Sequence, residues 1–119
     1  MGLFSRIFGG GEKESEEEFD LTAKQQELAT LSEALSALTR RMHDDEFPVD
    51  NPGWQGRIRD LQRARAEADR LERTTFTRQD LFDFTTTVRV LYRGEPPAEY
   101  AALAQENDRV VRALDALMA

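Results

Sequence analysis

Leucines return at a fixed interval from residue 21 onward. Leu21, Leu28, Leu35 and Met42 are seven apart, and Leu31 and Leu38 fall between them at spacings of three and four. That period predicts a first helix over about Leu21–His43. Its apolar stripe is narrow, closer to a coiled-coil seam than to the broad face of a buried globular helix. Lys24 is the one seam position that is not apolar. Asp20 or Thr22 can serve as N-cap, and Thr22 with Gln25 fits a capping box. The helix should stop near His43, because Asp44, Asp45 and Glu46 oppose the helix dipole and Pro48 disfavours helical geometry at Phe47.

Asn51 followed by Pro52 is a start signal, and a second helix is expected over about Pro52–Arg73. Trp54, Ile58, Leu61, Ala64, Ala68 and Leu71 form its buried face, with the alanines implying a closely packed neighbour. The other face carries six arginines and four acids. Arg63 with Glu67, Arg65 with Asp69, and Asp69 with Arg73 are spaced to pair across one turn.

The third helix has the strongest start. Thr77 is an N-cap with Asp80 three residues on, and Phe76 and Leu81 can close a hydrophobic staple. Leu81, Phe84, Val88, Leu91 and Tyr92 keep helical spacing, and Gly94 with Pro96 and Pro97 supplies the stop. The rival reading is a strand over residues 85–92, TTTVRVLY, which are rich in β-branched types. Helix is favoured because cap and period agree and no partner strand is in sight.

A fourth helix is expected from Pro97 to Leu117, with Tyr100, Leu103, Val110, Leu114 and Leu117 as its seam and Val111 and Met118 beside it. Asn107 falls on that seam. It either fixes register and oligomeric state, as a seam asparagine can, or is a partly exposed residue near a bundle end.

The expected fold is therefore all-α: a four-helix bundle over residues 21–119, or helices 1 and 4 pairing across a homodimer through residues such as Leu28, Leu31, Leu35 and Leu38. Ahead of it stand a short amphipathic segment with a glycine linker, residues 1–11, and a flexible acidic segment, residues 12–20.

Composition narrows the chemistry. The 119 residues contain no cysteine and one histidine, His43. That excludes disulfides, thiolate zinc sites and cysteine nucleophiles. Phosphate-binding loops, the GxSxG elbow and HExxH are absent from the sequence, and the chain is not expected to be an enzyme or to carry a cofactor. His43, Asp44, Asp45, Glu46 and Asp50 are the densest group of possible ligands. Neighbouring helical residues cannot all face one ion, so a solvated helix end is preferred to a metal site.

The net charge is −7, and residues 12–20 alone hold six acids against Lys13. The rest is a mildly acidic surface, a poor attractor for nucleic acid. Arg57, Arg59, Arg63 and Arg65 could meet an acidic protein partner, although the bland reading is a salt-bridged, solvated face. A third possibility is that the acidic segment folds back onto these arginines in a salt-sensitive way.

The most informative stretch is MGLFSRIF. As a helix, it places Leu3, Phe4, Ile7 and Phe8 on one face, with Ser5 and Arg6 nearer the other. It lacks the basic start and the apolar core of a signal peptide, and Arg6 breaks the myristoylation pattern. Four such side chains could give about 1.5–3 kcal/mol each if fully buried, but ordering eight residues removes much of that. The expectation is a weak, reversible membrane contact comparable with one acyl chain, strengthened if several copies act together. Docking onto the helical body and a disordered start are the competing readings.

This opening resembles the N-terminal amphipathic segment of the phage-shock-protein-A family of membrane-remodelling proteins. It is also similar to the openings of some bacterial signal-recognition-particle receptors. The resemblance covers Met1 to about Phe8 and implies contact with a membrane surface. The long coiled-coil hairpin of that family has no counterpart in residues 21–119. The sequence thus points to a non-enzymatic adaptor or scaffold in the cytoplasm, peripherally placed on the inner face of the cell membrane. The alternative is a soluble regulatory protein that binds a protein through its acidic tail or its arginine-rich helix.

Overall fold

A computed structural model describes residues 19–43 and 52–119. The leading segment, the acid run as far as Glu18, the acidic cluster after His43 and the Asn51 cap lie outside the described residues. Four α-helices are present among the described residues: α1 (Leu21–Met42), α2 (Pro52–Glu72), α3 (Arg78–Thr85) and α4 (Ala104–Met118). A 3-10 segment over Ala98–Leu103 leads into α4. There is no strand among the described residues, so the β reading of residues 85–92 fails.

α1 starts as its caps require. Asp20 is the N-cap, its carboxylate accepting the Ala23 N–H at 3.0 Å. The Thr22–Gln25 box is not used; Gln25 Nε2 instead donates to the Thr74 carbonyl at 2.9 Å and ties the start of α1 to the end of α2. At the other end His43 is the C-cap, and the indole N–H of Trp54 donates to the Met42 carbonyl at 3.2 Å. α1 and α2 are therefore antiparallel. α4 is antiparallel to α1 as well: Lys24 reaches the carbonyls at the end of α4, and Arg41 reaches Ala102 and Glu106 near its beginning. α1 packs along both α2 and α4, which make no comparable contact with each other.

This central placement explains why α1 is buried more widely than a narrow seam. Leu28, Leu31, Leu35 and Leu38 are 0% exposed, and Ser32, Ala34, Thr39 and Met42 are buried with them. Each flank takes one side of the stripe. On α2, Ile58, Leu61, Ala64, Ala68 and Leu71 are buried, as their spacing predicts, while Trp54 is half-buried. Leu103, Val110, Ala113, Leu114 and Leu117 complete the core from α4. Truncating any one of the fully buried leucines to alanine typically costs about 2–5 kcal/mol.

The third expected helix is corrected. The Thr77–Asp80 capping box forms, with both bonds at 3.0 Å, and Phe76, Leu81 and Phe84 are buried. The helix nevertheless ends at Thr85 rather than near Gly94. Three consecutive threonines explain the stop. The hydroxyls of Thr85, Thr86 and Thr87 donate to the carbonyls of Phe82, Asp83 and Phe84, three residues back, at 2.7–2.8 Å. Such local bonds compete with the helical ladder. The backbone tightens accordingly, Thr87 and Val88 donating to Phe84 and Thr85 instead of continuing the i−4 pattern. Residues 86–97 then return as non-helical chain, with Gly94 in a turn at φ 83°.

The fourth helix is also corrected at its start. From Ala98 the chain winds as a 3-10 turn and becomes α-helical only at Ala104. Pro97 offers no side-chain cap, and Leu103 sits at φ −104° and ψ 4°, between the two helical forms.

Candidate functional site

Two ends of the molecule and one face gather the polar and aromatic groups that the core does not absorb. At the end where α1 finishes, three aromatic rings stand in a row. Trp54 and Tyr100 are near-parallel with centroids 6.1 Å apart, and Tyr100 and Tyr92 follow at 6.3 Å. Burial and the nearby Asp108 carboxylate hold the ionisation of the Tyr92 phenol above its ordinary value.

Asn107 organises the chain behind that row. It is wholly buried, which corrects the reading of a partly exposed residue. Its Oδ1 accepts the Leu91 N–H and its Nδ2 donates to the Tyr92 carbonyl, both at 3.0 Å. Both ends of the amide thus satisfy the non-helical return segment of the same chain.

At the opposite end, Lys24 fills its seam position by reaching across the helix pair. Its ammonium donates to the carbonyls of Leu117 and Ala116 at 3.1 and 3.2 Å and pairs with Glu27 at 3.0 Å. A cation among the last carbonyls of a helix is favourable, because those groups have no intrahelical donor and carry the negative end of the dipole. Phe19 packs edge-on against Phe76, with centroids 6.0 Å apart, and the Arg78 guanidinium lies over its ring at 5.0 Å. Phe19 and Asp20 therefore belong to the helical body, although the sequence places them with the acid run. Phe82 and Met118 are the large apolar side chains left most open here, 51% and 54% exposed. With Phe19, Leu81 and Leu117 they line a shallow groove of about 190 Å³.

The arginine face of α2 is exposed but internally neutralised. Arg63 bonds Asp60 at 3.2 Å rather than Glu67. Glu67 is taken by Arg70, whose hydrogen bond lowers the carboxyl pKa and raises that of the guanidinium. The expected Arg65–Asp69 pair forms at 3.7 Å, and Asp69 also accepts from the buried Ser32 hydroxyl. Arg57 and Arg59 point outward on the same helix. A broad groove of about 860 Å³ between α2 and α3 mixes Arg63, Arg70 and Arg89 with Asp60, Glu67, Asp80 and Asp83. Four carboxylates against three guanidiniums do not make an anion site.

The seam leucines Leu28, Leu31, Leu35 and Leu38 lie inside the single-chain core. Leu3, Phe4, Ile7 and Phe8 lie outside the described residues, as do all the suspected ligands except His43, whose Nε2 is 3.3 Å from Gln62 Nε2. Among the described residues no cluster of three or more metal-ligating side chains occurs, and no helix is long and apolar enough to cross a membrane. Sequence reasoning missed the Lys24 cap, for which a lysine on an apolar seam was the available signal. It also missed the aromatic row, which depends on the path of residues 86–97. No known family model, no curated protein and no solved structure matches this chain.

Proposed function

We propose that the chain is a non-enzymatic adaptor or scaffold whose helical bundle presents the apolar leading segment to a membrane surface. It would act in the cytoplasm, peripherally on the inner face of the cell membrane. The carrying observation is that two large apolar side chains stand open at the end of the body that the leading segment joins. Phe82 and Met118 are exposed there, and Phe19, which joins the body to the segment bearing Leu3, Phe4, Ile7 and Phe8, packs beside them. The leading four side chains favour an interface with lipid over bulk water, while Phe82 and Met118 mark the end of the body from which that segment departs. The acid run between them sets a limit, since anionic lipid repels it. Vesicle flotation of the full chain tests the reading. The wild type should float with neutral phosphatidylcholine vesicles, and Phe4→Ser with Phe8→Ser should abolish flotation. Equal flotation rejects the membrane role.

The second reading is a soluble regulatory protein that holds a protein partner through residues 12–18 or the exposed arginines of α2. It is favoured by the exposure of Arg57 and Arg59. A pull-down lost when Glu14, Glu16, Glu17 and Glu18 become Gln, yet kept when Phe4 and Phe8 become Ser, selects it. A homodimer, proposed from the seams, has to use other surfaces, because the core of one chain already occupies those leucines.

A further inference from the structure

We propose that the groove between the start of α1, α3 and the end of α4 is the seat of this chain's own leading segment, residues 3–8, which it holds back from the membrane. The inference deepens the membrane reading and rests on it only for that consequence. Three observations converge on this occupant.

The first is chemistry and size. The groove floor is Leu81 and Leu117, its rim is Phe82 and Met118, and its volume is about 190 Å³. A cavity of about 150 Å³ takes benzene, so one phenyl ring fits. The leading segment supplies two, on Phe4 and Phe8. The second is where the tether ends. The described chain begins at Phe19, itself a wall of the groove and fixed there by Phe76 and Arg78. Residues 9–18 separate Phe8 from that point. Ten residues at random-coil dimensions span roughly 16–19 Å on average, which puts the groove within reach of the leading segment at about millimolar effective concentration. The third is charge. Lys24 and Arg78 line the groove; Lys24 is taken by Glu27 and the end of α4, which leaves Arg78 to meet Glu12, Glu14, Glu16, Glu17 and Glu18 of the tether.

The chain has no cysteine, so Ser5→Cys gives a unique site for a nitroxide on the full-length protein. Backbone amides of Phe82, Thr85 and Met118 should broaden, and the Phe82→Glu substitution at the exposed rim should remove the broadening. Absence of broadening at these amides overturns the proposal. So does broadening that appears only between a labelled chain and a second, isotope-enriched chain, since a neighbouring copy then fills the groove. If the segment is docked nine-tenths of the time, Phe82→Glu raises the apparent affinity for phosphatidylcholine vesicles about ten-fold. Unchanged affinity overturns the restraint on membrane contact. Failure of the membrane reading looks different: wild type and the Phe4→Ser, Phe8→Ser variant would bind vesicles equally, with the broadening intact.

Discussion

Replacing Asn107 by leucine isolates the polar clamp on which the return segment depends. The two side chains are similar in size, so the exchange removes hydrogen bonds without opening a large cavity. Asn107 is 0% exposed and accepts the Leu91 N–H while donating to the Tyr92 carbonyl. After the exchange the Leu91 N–H, in a buried position, has no acceptor there, at a cost of about 1–3 kcal/mol. The Tyr92 carbonyl is only part-buried, so water can reach it and its loss adds about 1 kcal/mol. The sum is roughly 2–4 kcal/mol, or a fall in melting temperature of roughly 10–25 °C for a body of this size. Urea unfolding gives the free energy, and amide hydrogen exchange at Leu91 locates the damage. Stability within about 0.5 kcal/mol of the wild type, with Leu91 protection unchanged, would refute the reasoning. A change of oligomeric state without such losses would restore Asn107 to its role as a seam residue between chains.

Other outcomes follow from the same contacts. Lys24→Met keeps the apolar stem but strips the end of α4 of its cation, and should cost about 1–2 kcal/mol in urea unfolding. Thr77→Ala removes half of the capping box and should cost about 1 kcal/mol, with the loss of helix confined to α3. Tyr92 ionises above its ordinary 10.0 because burial disfavours the phenolate. Its contribution to stability is therefore complete below pH 10.0 and is lost as pH rises through the folded value; Tyr92→Phe should flatten that part of the profile. At the acid end the sign reverses. Arg70 holds the Glu67 carboxyl below 4.5, so this pair stabilises above that pH and fades as pH falls through the folded value, an effect that Glu67→Gln removes.

Long helices were legible in the sequence where a period and a cap agreed. Leu28, Leu31, Leu35 and Leu38 mark the core of α1, and Ile58, Leu61 and Leu71 mark that of α2, because fixed helical spacing puts each set on one side of its rod. The Thr77 cap was equally clear, since it depends on residues three apart. The length of α3 was not. Val88, Leu91 and Tyr92 keep helical spacing, yet the threonine hydroxyls end the helix locally and Asn107, from a distant part of the chain, offers the backbone other partners. A contact across 16 residues leaves no periodic trace. The end that the leading segment joins was half visible. Leu3, Phe4, Ile7 and Phe8 announce themselves by pattern, whereas Phe82 and Met118 fall beside predicted seams and show their exposure only once α3 and α4 are packed.

The most direct test of the account is the binding isotherm of the full chain on phosphatidylcholine vesicles, set beside that of the Phe4→Ser, Phe8→Ser variant. A free single foot has a partition constant of about 10⁴ M⁻¹, so the wild type, with its segment docked nine-tenths of the time, should show about 10³ M⁻¹ and the variant no measurable binding. Superimposable isotherms would contradict it.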